Sequence, residues 1–310
     1  MKEIHISMNY TPKLSEPITA CIGYFDGIHQ GHRKLIQTVA ECAAGNGSIP
    51  ALITFDPDPW EVIKDQHDLS HLMSMEDRKH VAASLGIELW IILDFTKEMA
   101  ALSVEQFHER ILYPLPLRHL VCGYDFHYAH CGKGNSETLR AQQQFSVIVI
   151  DEISNEQEKI SSTRIEALIR SGNMEKAAEL LTRAYQMSGI IEHGLKNGQR
   201  IGFPTANLRG DTRYVLPKEG VYVGEVEVKE KVYPAMINVG CNPTIDDHNQ
   251  CTIEAHLVGF HGDLYDQPAR FRFLHYLREE FKFTDLDGLK QQLTYDRQAT
   301  LAYFQQRKER

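Results

Sequence analysis

Between residues 18 and 151, short apolar runs alternate with stretches whose apolar positions recur every three or four residues. The runs are Ile18 to Tyr24, Ala51 to Phe55, Leu89 to Phe95, His119 to Cys122 and Phe145 to Ile150, and the helical stretches fall near 32–45, 75–86, 103–113 and 136–144. Leu35, Val39 and Cys42 show the helical spacing in the first of these. Strand-length runs separated by helices predict a parallel sheet with helices on both faces. A charged loop, Glu152 to Lys159, is followed by ISSTRIEALIRSGNMEKAAELL. That string predicts two helices broken at Gly172 and Asn173, the first buried through Ile165, Leu168 and Ile169 and capped by Ser162 or Thr163.

The period then changes. From Tyr185 to Leu277 the chain reads as short alternating segments: YQMSGIIEHG, GVYVGEVEV, KVYPAMINVG, CTIEAHLVGF and ARFRFLHYL. Strands without intervening helices predict an antiparallel barrel or sandwich. The fold class is therefore multidomain α/β plus β, with domains at 1–184 and 185–310. Leu286 to Gln306 is expected to form one amphipathic helix on the outside of the barrel.

Composition narrows the function classes. With 310 residues, 42% hydrophobic and 24% charged, the chain suits two soluble globular domains. The start, MKEIHISMNY, lacks the apolar core of a signal peptide, and no run reaches membrane-spanning length. A cytoplasmic protein with no membrane partner is expected. A formal net charge of −9 argues against nucleic acid as a partner but leaves small anionic ligands open. The six cysteines form no C-x-x-C pair, which predicts reduced thiols. Cys122, His127, His130 and Cys131 are zinc-capable, but their spacing matches no usual zinc motif and zinc is not expected. Oligomeric state is not encoded in any of these patterns.

The densest candidate chemistry is GYFDGIHQGH, Gly23 to His32, set between a strand-like run and a helical one. Gly23, Gly27 and Gly31 let backbone approach a ligand, and the first-turn N–H groups of a helix face an anion. His29 and His32, one on each side of Gly31, add donors to an oxygen that gains charge. Ligands of parallel sheets bind beyond the carboxyl ends of the strands. FDPDPW at 55–60 and CGYDFHYAHCGKGN at 122–135 also follow strands, so Asp56, Asp58 and Asp125 are either polar contacts in one cleft or ordinary turn residues. Ser162 and Thr163 are either helix caps or an anion site.

In the second half, GQRIGFPTAN places Gly202 and Pro204 in an exposed turn, with Thr205 and Asn207 offering hard oxygens suited to nucleotide-borne magnesium. Alternation puts Thr252, Glu254 and His256 on one strand face, opposite Ile253, Ala255 and Leu257. Glu254 is then either an exposed carboxylate or, at a barrel mouth, a base for a substrate hydroxyl.

Together these strings resemble the prokaryotic bifunctional riboflavin kinase/FMN adenylyltransferase (FAD synthetase) family, in the family's order and over nearly the whole chain. GYFDGIHQGH looks like its nucleotidylyltransferase motif, ISSTRI like its second nucleotide motif and GFPTANL like its kinase motif. IEAHL and FLHYLREEFKF resemble the kinase's catalytic and flavin-side segments. The resemblance implies a Rossmann-like nucleotidylyltransferase domain and a riboflavin kinase barrel. In the barrel, riboflavin and ATP would give FMN and ADP; in the first domain, FMN and ATP would give FAD and pyrophosphate. Carried onto this sequence, Gly23, Phe25, Asp26, Gly27, Gly31, Ser162 and Thr163 would bind ATP phosphates. His29 and His32 would stabilise the transferring phosphate, and Asp125 would line the FMN cleft. Gly202, Phe203, Pro204, Thr205 and Asn207 would hold the second ATP and its magnesium. Glu254 would act as base, and Arg278 and Glu280 would lie on the flavin side.

The sequence departs from that family's usual pattern at several positions. Glu166 stands where I-S-S-T-x-I-R ends in arginine, Asp58 replaces the histidine of F-x-P-H-P, and Tyr128-Ala129 replaces a Phe-Gly. Gln199 and Gly259 are further departures in the kinase half. Two alternatives follow: a riboflavin kinase with weakened or lost adenylyl transfer, and a non-catalytic flavin or nucleotide sensor.

Overall fold

The computed structural model describes every residue except 68, 194–201, 211, 212, 243–249, 282, 284, 309 and 310. Gln199 and the start of GQRIGFPTAN lie outside the described residues. The chain divides into two compact units, residues 1–70 with 75–161, and residues 71–74 with 162–310.

The first unit is built on a six-stranded sheet: β1 (Lys2–Ile6), β2 (Ile18–Ile22), β3 (Ile49–Asp56), β4 (Leu89–Asp94), β5 (Leu117–Gly123) and β6 (Ser146–Ile150). Its order is β1-β4-β3-β2-β5-β6 and every pair is parallel. The expected parallel sheet is present, with one strand more than the apolar runs indicated. KEIHI buries only Ile4 and Ile6, so β1 lacks the continuous apolar run of an inner strand. In β2 all five residues are buried, because Ile18, Ala20 and Ile22 face one layer while Thr19 and Cys21 face the other. Helix α1 (Gln30–Asn46) covers β2, β3 and β5 through Leu35, Ile36, Val39 and Ala43. Two helices, α2 (Pro59–Lys64) and α3 (Met75–Ser84), follow β3, and α4 (Lys97–Ala100) and α5 (Val104–Phe107) follow β4. A π-type turn over His108–Leu112 continues α5. Phe107, Ile111 and Leu112 join Ile18, Ile22, Ile53 and Ile91 in one buried cluster. Each side chain so buried contributes about 1.5–3 kcal/mol. Helix α6 (Ser136–Ala141) precedes β6, and a two-residue hairpin, β7 (Ser154–Asn155) and β8 (Glu158–Lys159), ends the unit.

The second unit opens with α7 (Ser162–Arg170) and α8 (Met174–Leu181). A closed antiparallel barrel follows: β9 (Tyr185–Glu192), β10 (Ala206–Gly210), β11 (Gly220–Val228), β12 (Lys231–Asn242), β13 (Gln250–Leu257) and β14 (Pro268–Arg278), ordered β10-β13-β12-β11-β14-β9. Helix α9 (Leu286–Lys308) packs on β12 and β11. The predicted barrel and terminal helix are thus observed, with five strands as read and a sixth, β10, inside a segment read as a turn. Asn207 lies in that strand, because the ladder to β13 and β9 extends the chain directly after Pro204 and Thr205.

Two further readings are corrected. Helix α7 already contains Ser162 and Thr163, so the position before its first residue belongs to Ser161. Reduced thiols were expected throughout, yet Cys241 and Cys251 form a disulfide. The β12–β13 register sets them directly opposite, with Cα atoms 4.0 Å apart, a proximity that a separation of ten residues does not announce.

Candidate functional sites

In the first unit the strands β3, β2 and β5 are neighbours, so Ile22, Asp56 and Gly123 end side by side at one edge of the sheet. The chain leaves β2 toward β3 on one side, and β5 lies on the other. This reversal is the switch point where a parallel sheet opens a crevice at its carboxyl edge. The three turns singled out in the sequence emerge there.

The turn after β2 is unusual backbone. Phe25, Gly27 and Ile28 have φ of 60°, 81° and 37°, and both Phe25 and Ile28 are fully buried. Positive φ costs a β-branched residue on the order of 1–3 kcal/mol and persists only where the surroundings enforce it. Arg78 of α3, 3% exposed, provides part of that enforcement. Its Nη1 donates to the Tyr24 carbonyl at 2.8 Å, Thr54 Oγ1 donates to the same oxygen at 3.1 Å, and its guanidinium carbon lies 4.5 Å from the Tyr24 ring centre. Arg78 was not singled out by sequence, since a lone arginine in a polar helix carries no motif.

His29 occupies the N-cap of α1, and His32 lies in its first turn. The backbone N–H of His32 donates to His29 Nδ1 at 3.5 Å, which puts the neutral ring's proton on Nε2. The two rings stack at 3.8 Å between centroids. A Cβ on Gly31 would lie 3.2 Å from His29 Cε1, so glycine there accommodates the stacked pair. A strained turn, a helix N-terminus and two imidazoles therefore meet, an arrangement suited to an anionic group. Asp125, after β5, pairs with Lys159, whose ammonium is held above its ordinary pKa by that hydrogen bond. Asp58 does not behave as an open-cleft residue: it is 8% exposed and caps α2 by accepting from the Trp60 N–H at 2.8 Å. Of the zinc-capable side chains, Cys122 is buried in β5 and its thiol is pushed up to about 11 by burial, whereas Cys131 lies exposed, 3.3 Å from His130 Nε2.

In the second unit the ladder brings the kinase candidates together. Asn207 of β10 is the direct cross-strand partner of Glu254 of β13, and Asn238 of β12 is its partner on the other side. Directly opposed residues share a face with Cβ atoms about 4.5–5.5 Å apart. Ile253, Ala255 and Leu257 are buried on the opposite face, so Glu254 stands on the polar side of the barrel wall rather than among its packed residues. Thr205 is half-buried one residue before β10, Phe203 is 5% exposed, and Gly202 adopts φ 85°. Glu280 accepts a 2.6 Å hydrogen bond from Asn238 Nδ2. Arg278 is bound by Asp296 of α9, with Nη2–Oδ2 at 2.7 Å and Nε 3.1 Å from both carboxylate oxygens, and lies over the Phe281 ring. Asn238 and Asp296 were not foreseen; each earns its place only through the strand or helix that faces it. Glu166 pairs with Arg170 at 2.8 Å along α7, so its charge is compensated locally.

Each unit thus carries an arrangement suited to an anionic ligand, as a nucleotide-using transferase with two reaction centres would need. Comparison with known proteins makes this specific. Residues 11–164 match the family described as FAD synthetase and residues 181–304 the family described as riboflavin kinase. A bifunctional riboflavin kinase/FMN adenylyltransferase of Listeria monocytogenes is 35% identical over 91% of this chain and 91% of its own. The protein of that description from Bacillus subtilis is 32% identical over 98% of each. A crystal structure described as a macrolide-efflux protein from Streptococcus pneumoniae matches with a TM-score of 0.89 at 30% identity, covering 97% of this chain and 99% of that one. The chain belongs to the bifunctional riboflavin kinase/FMN adenylyltransferase family, and both family domains are present, which makes it a transferase of FAD biosynthesis. Among the described residues, no helix is long and apolar enough to cross a membrane.

Proposed function

We propose that the barrel phosphorylates riboflavin at Glu254 and that the N-terminal nucleotidylyltransferase part adenylylates the FMN so formed at His29 and His32. The observation that carries the first assignment is the opposition of Glu254 and Asn207 across one rung of the β10–β13 ladder. Glu254 takes the proton of the ribityl hydroxyl, whose oxygen bonds to the γ-phosphorus of ATP as the bond to the ADP oxygen breaks. Thr205 and Asn207 offer a hydroxyl and an amide oxygen, a hard donor set that fits magnesium carried on ATP phosphates. Magnesium bound there supplies charge compensation during transfer. Gly202, Phe203 and Pro204 shape the turn that faces the nucleotide, and Arg278 and Glu280 line the flavin side.

In the second reaction a phosphate oxygen of FMN bonds to the α-phosphorus of a second ATP, and the bond to pyrophosphate breaks. The backbone of Gly23, Phe25, Asp26, Gly27 and Gly31 cradles the phosphates, and the imidazoles donate to the oxygens that gain charge. Asp125 borders the flavin. This assignment sets the functional boundary at 184/185, giving an FMN adenylyltransferase part (1–184) and a riboflavin kinase part (185–310). The ligands are small molecules, with neither nucleic acid nor a membrane as partner, and the setting is cytoplasmic.

Incubating the full chain with ATP and magnesium, once from riboflavin and once from FMN, followed by separation of the flavins, tests both assignments. FMN then FAD is expected from riboflavin, and FAD from FMN. FMN accumulating without FAD in either reaction would refute the adenylyl-transfer assignment, and riboflavin left unphosphorylated would refute the kinase one.

A further inference from the structure

Between β10 and β13 the ladder comprises Asn207 with Glu254 and Ala206 with Ala255, and then stops. The next rung would set Thr205 opposite His256. In its place the His256 Nδ1–H donates to the carbonyl oxygen of Pro204 at 2.9 Å, a side chain standing in for a strand bond at the residue before Thr205. The His256 ring also lies 5.1 Å from the ring of Phe203, which is 5% exposed, and the guanidinium of Arg297 covers that phenyl ring at 5.5 Å. Burial holds His256 below its ordinary pKa, with the Arg297 charge acting in the same direction.

We propose that His256 is a positioning residue for phosphoryl transfer: it fixes the Phe203–Pro204–Thr205 turn against the strand that carries Glu254, and so sets the nucleotide side of the site relative to the base. This rests on the kinase reading above. Without the bond, the ladder tether nearest Thr205 among the described residues is the Ala206 rung on one side, and Gly202, with its φ of 85°, lies on the other. A displacement near 1 Å between reacting groups costs on the order of 100-fold in rate.

The experiment compares His256→Leu, which removes the donor at similar volume, with His256→Asn, which keeps a donor near the position of Nδ1, in the full chain. Three quantities are measured: kcat/KM for MgATP in FMN formation, riboflavin affinity without nucleotide by flavin fluorescence, and FAD formation from supplied FMN. His256→Leu is expected to lower kcat/KM for MgATP by about 10- to 100-fold. Riboflavin affinity and FAD formation should stay within about twofold, and His256→Asn should recover most of the loss. Three results would overturn the proposal: a loss below about threefold in His256→Leu, riboflavin affinity falling in parallel with ATP use, or no recovery in His256→Asn. Wild-type protein that makes no FMN would instead overturn the kinase reading, a separate and visible outcome.

Discussion

Ala129 has φ 62° and ψ −176°, a region of backbone space populated almost entirely by glycine. The surrounding turn enforces it. Tyr128 and Gly134 exchange backbone hydrogen bonds at 3.0 and 2.9 Å, His130 N–H donates to the Leu102 carbonyl at 2.8 Å, and Gly132 N–H donates to Ala129 at 3.1 Å. Strain of this kind costs about 1–3 kcal/mol. Glycine would relieve it but gives the unfolded chain more freedom, worth about 0.4–1 kcal/mol. Ala129→Gly is therefore expected to stabilise the first unit by about 0.5–2 kcal/mol. For a unit of roughly 150 residues that raises its midpoint by about 1–8 °C. The chain's two tryptophans, Trp60 and Trp90, both belong to the first unit, so tryptophan fluorescence during thermal unfolding of the full chain reports on that unit alone. Ala129→Val, β-branched at the same φ, should shift the midpoint downward. An unchanged or lowered midpoint in Ala129→Gly would refute the assignment of strain to this residue.

Glu254→Gln should lower FMN formation by about 100- to 10,000-fold while FAD formation from supplied FMN persists, as measured by flavin separation; equal losses in both reactions would place Glu254 outside the kinase chemistry. Asp296, 2% exposed, is the sole carboxylate bound to the Arg278 guanidinium among the described residues. Asp296→Ala, which leaves that guanidinium without its buried partner, should cost about 3 kcal/mol, read as a fall in the urea midpoint of the second unit. His108, buried against Tyr128 with Nε2 2.6 Å from its hydroxyl, is held below the ordinary 6.5 by burial. The unfolded chain then binds the additional proton first, so stability is full above about pH 6.5 and falls as pH drops below it, by at most about 1.4 kcal/mol per pH unit from this residue. Urea midpoints of the first unit between pH 7.5 and 5 should show that decline, and His108→Phe should flatten it; an unchanged slope would assign it elsewhere.

Local pattern carried much of the first unit because β2 through β5 are buried on both faces and leave continuous apolar runs. It missed β1, an edge strand that buries only Ile4 and Ile6. It also missed β10, whose extended form comes from its neighbours β9 and β13 rather than from ANLRG itself. The motif residues His29, His32, Asn207 and Glu254 were legible as strings. Arg78, Asn238 and Asp296 were not, since each acts through a partner remote in sequence, and His256 was legible only as a residue on the Glu254 face, not as the partner of the Pro204 carbonyl.

The sequence alone determined most element types, the change from helical to strand period near residue 184, and the motif strings that mark the family, because these follow from neighbours a few positions apart. Tertiary structure decided which of them face one another. Ladder register set Asn207 against Glu254 and Cys241 against Cys251. Packing of α3 brought the Arg78 cation to the strained turn after β2, and closure of the Tyr128–Gly134 turn forced Ala129 into glycine's conformation. Those juxtapositions depend on strand order and register, which pair residues by position in space and leave no local periodicity to read.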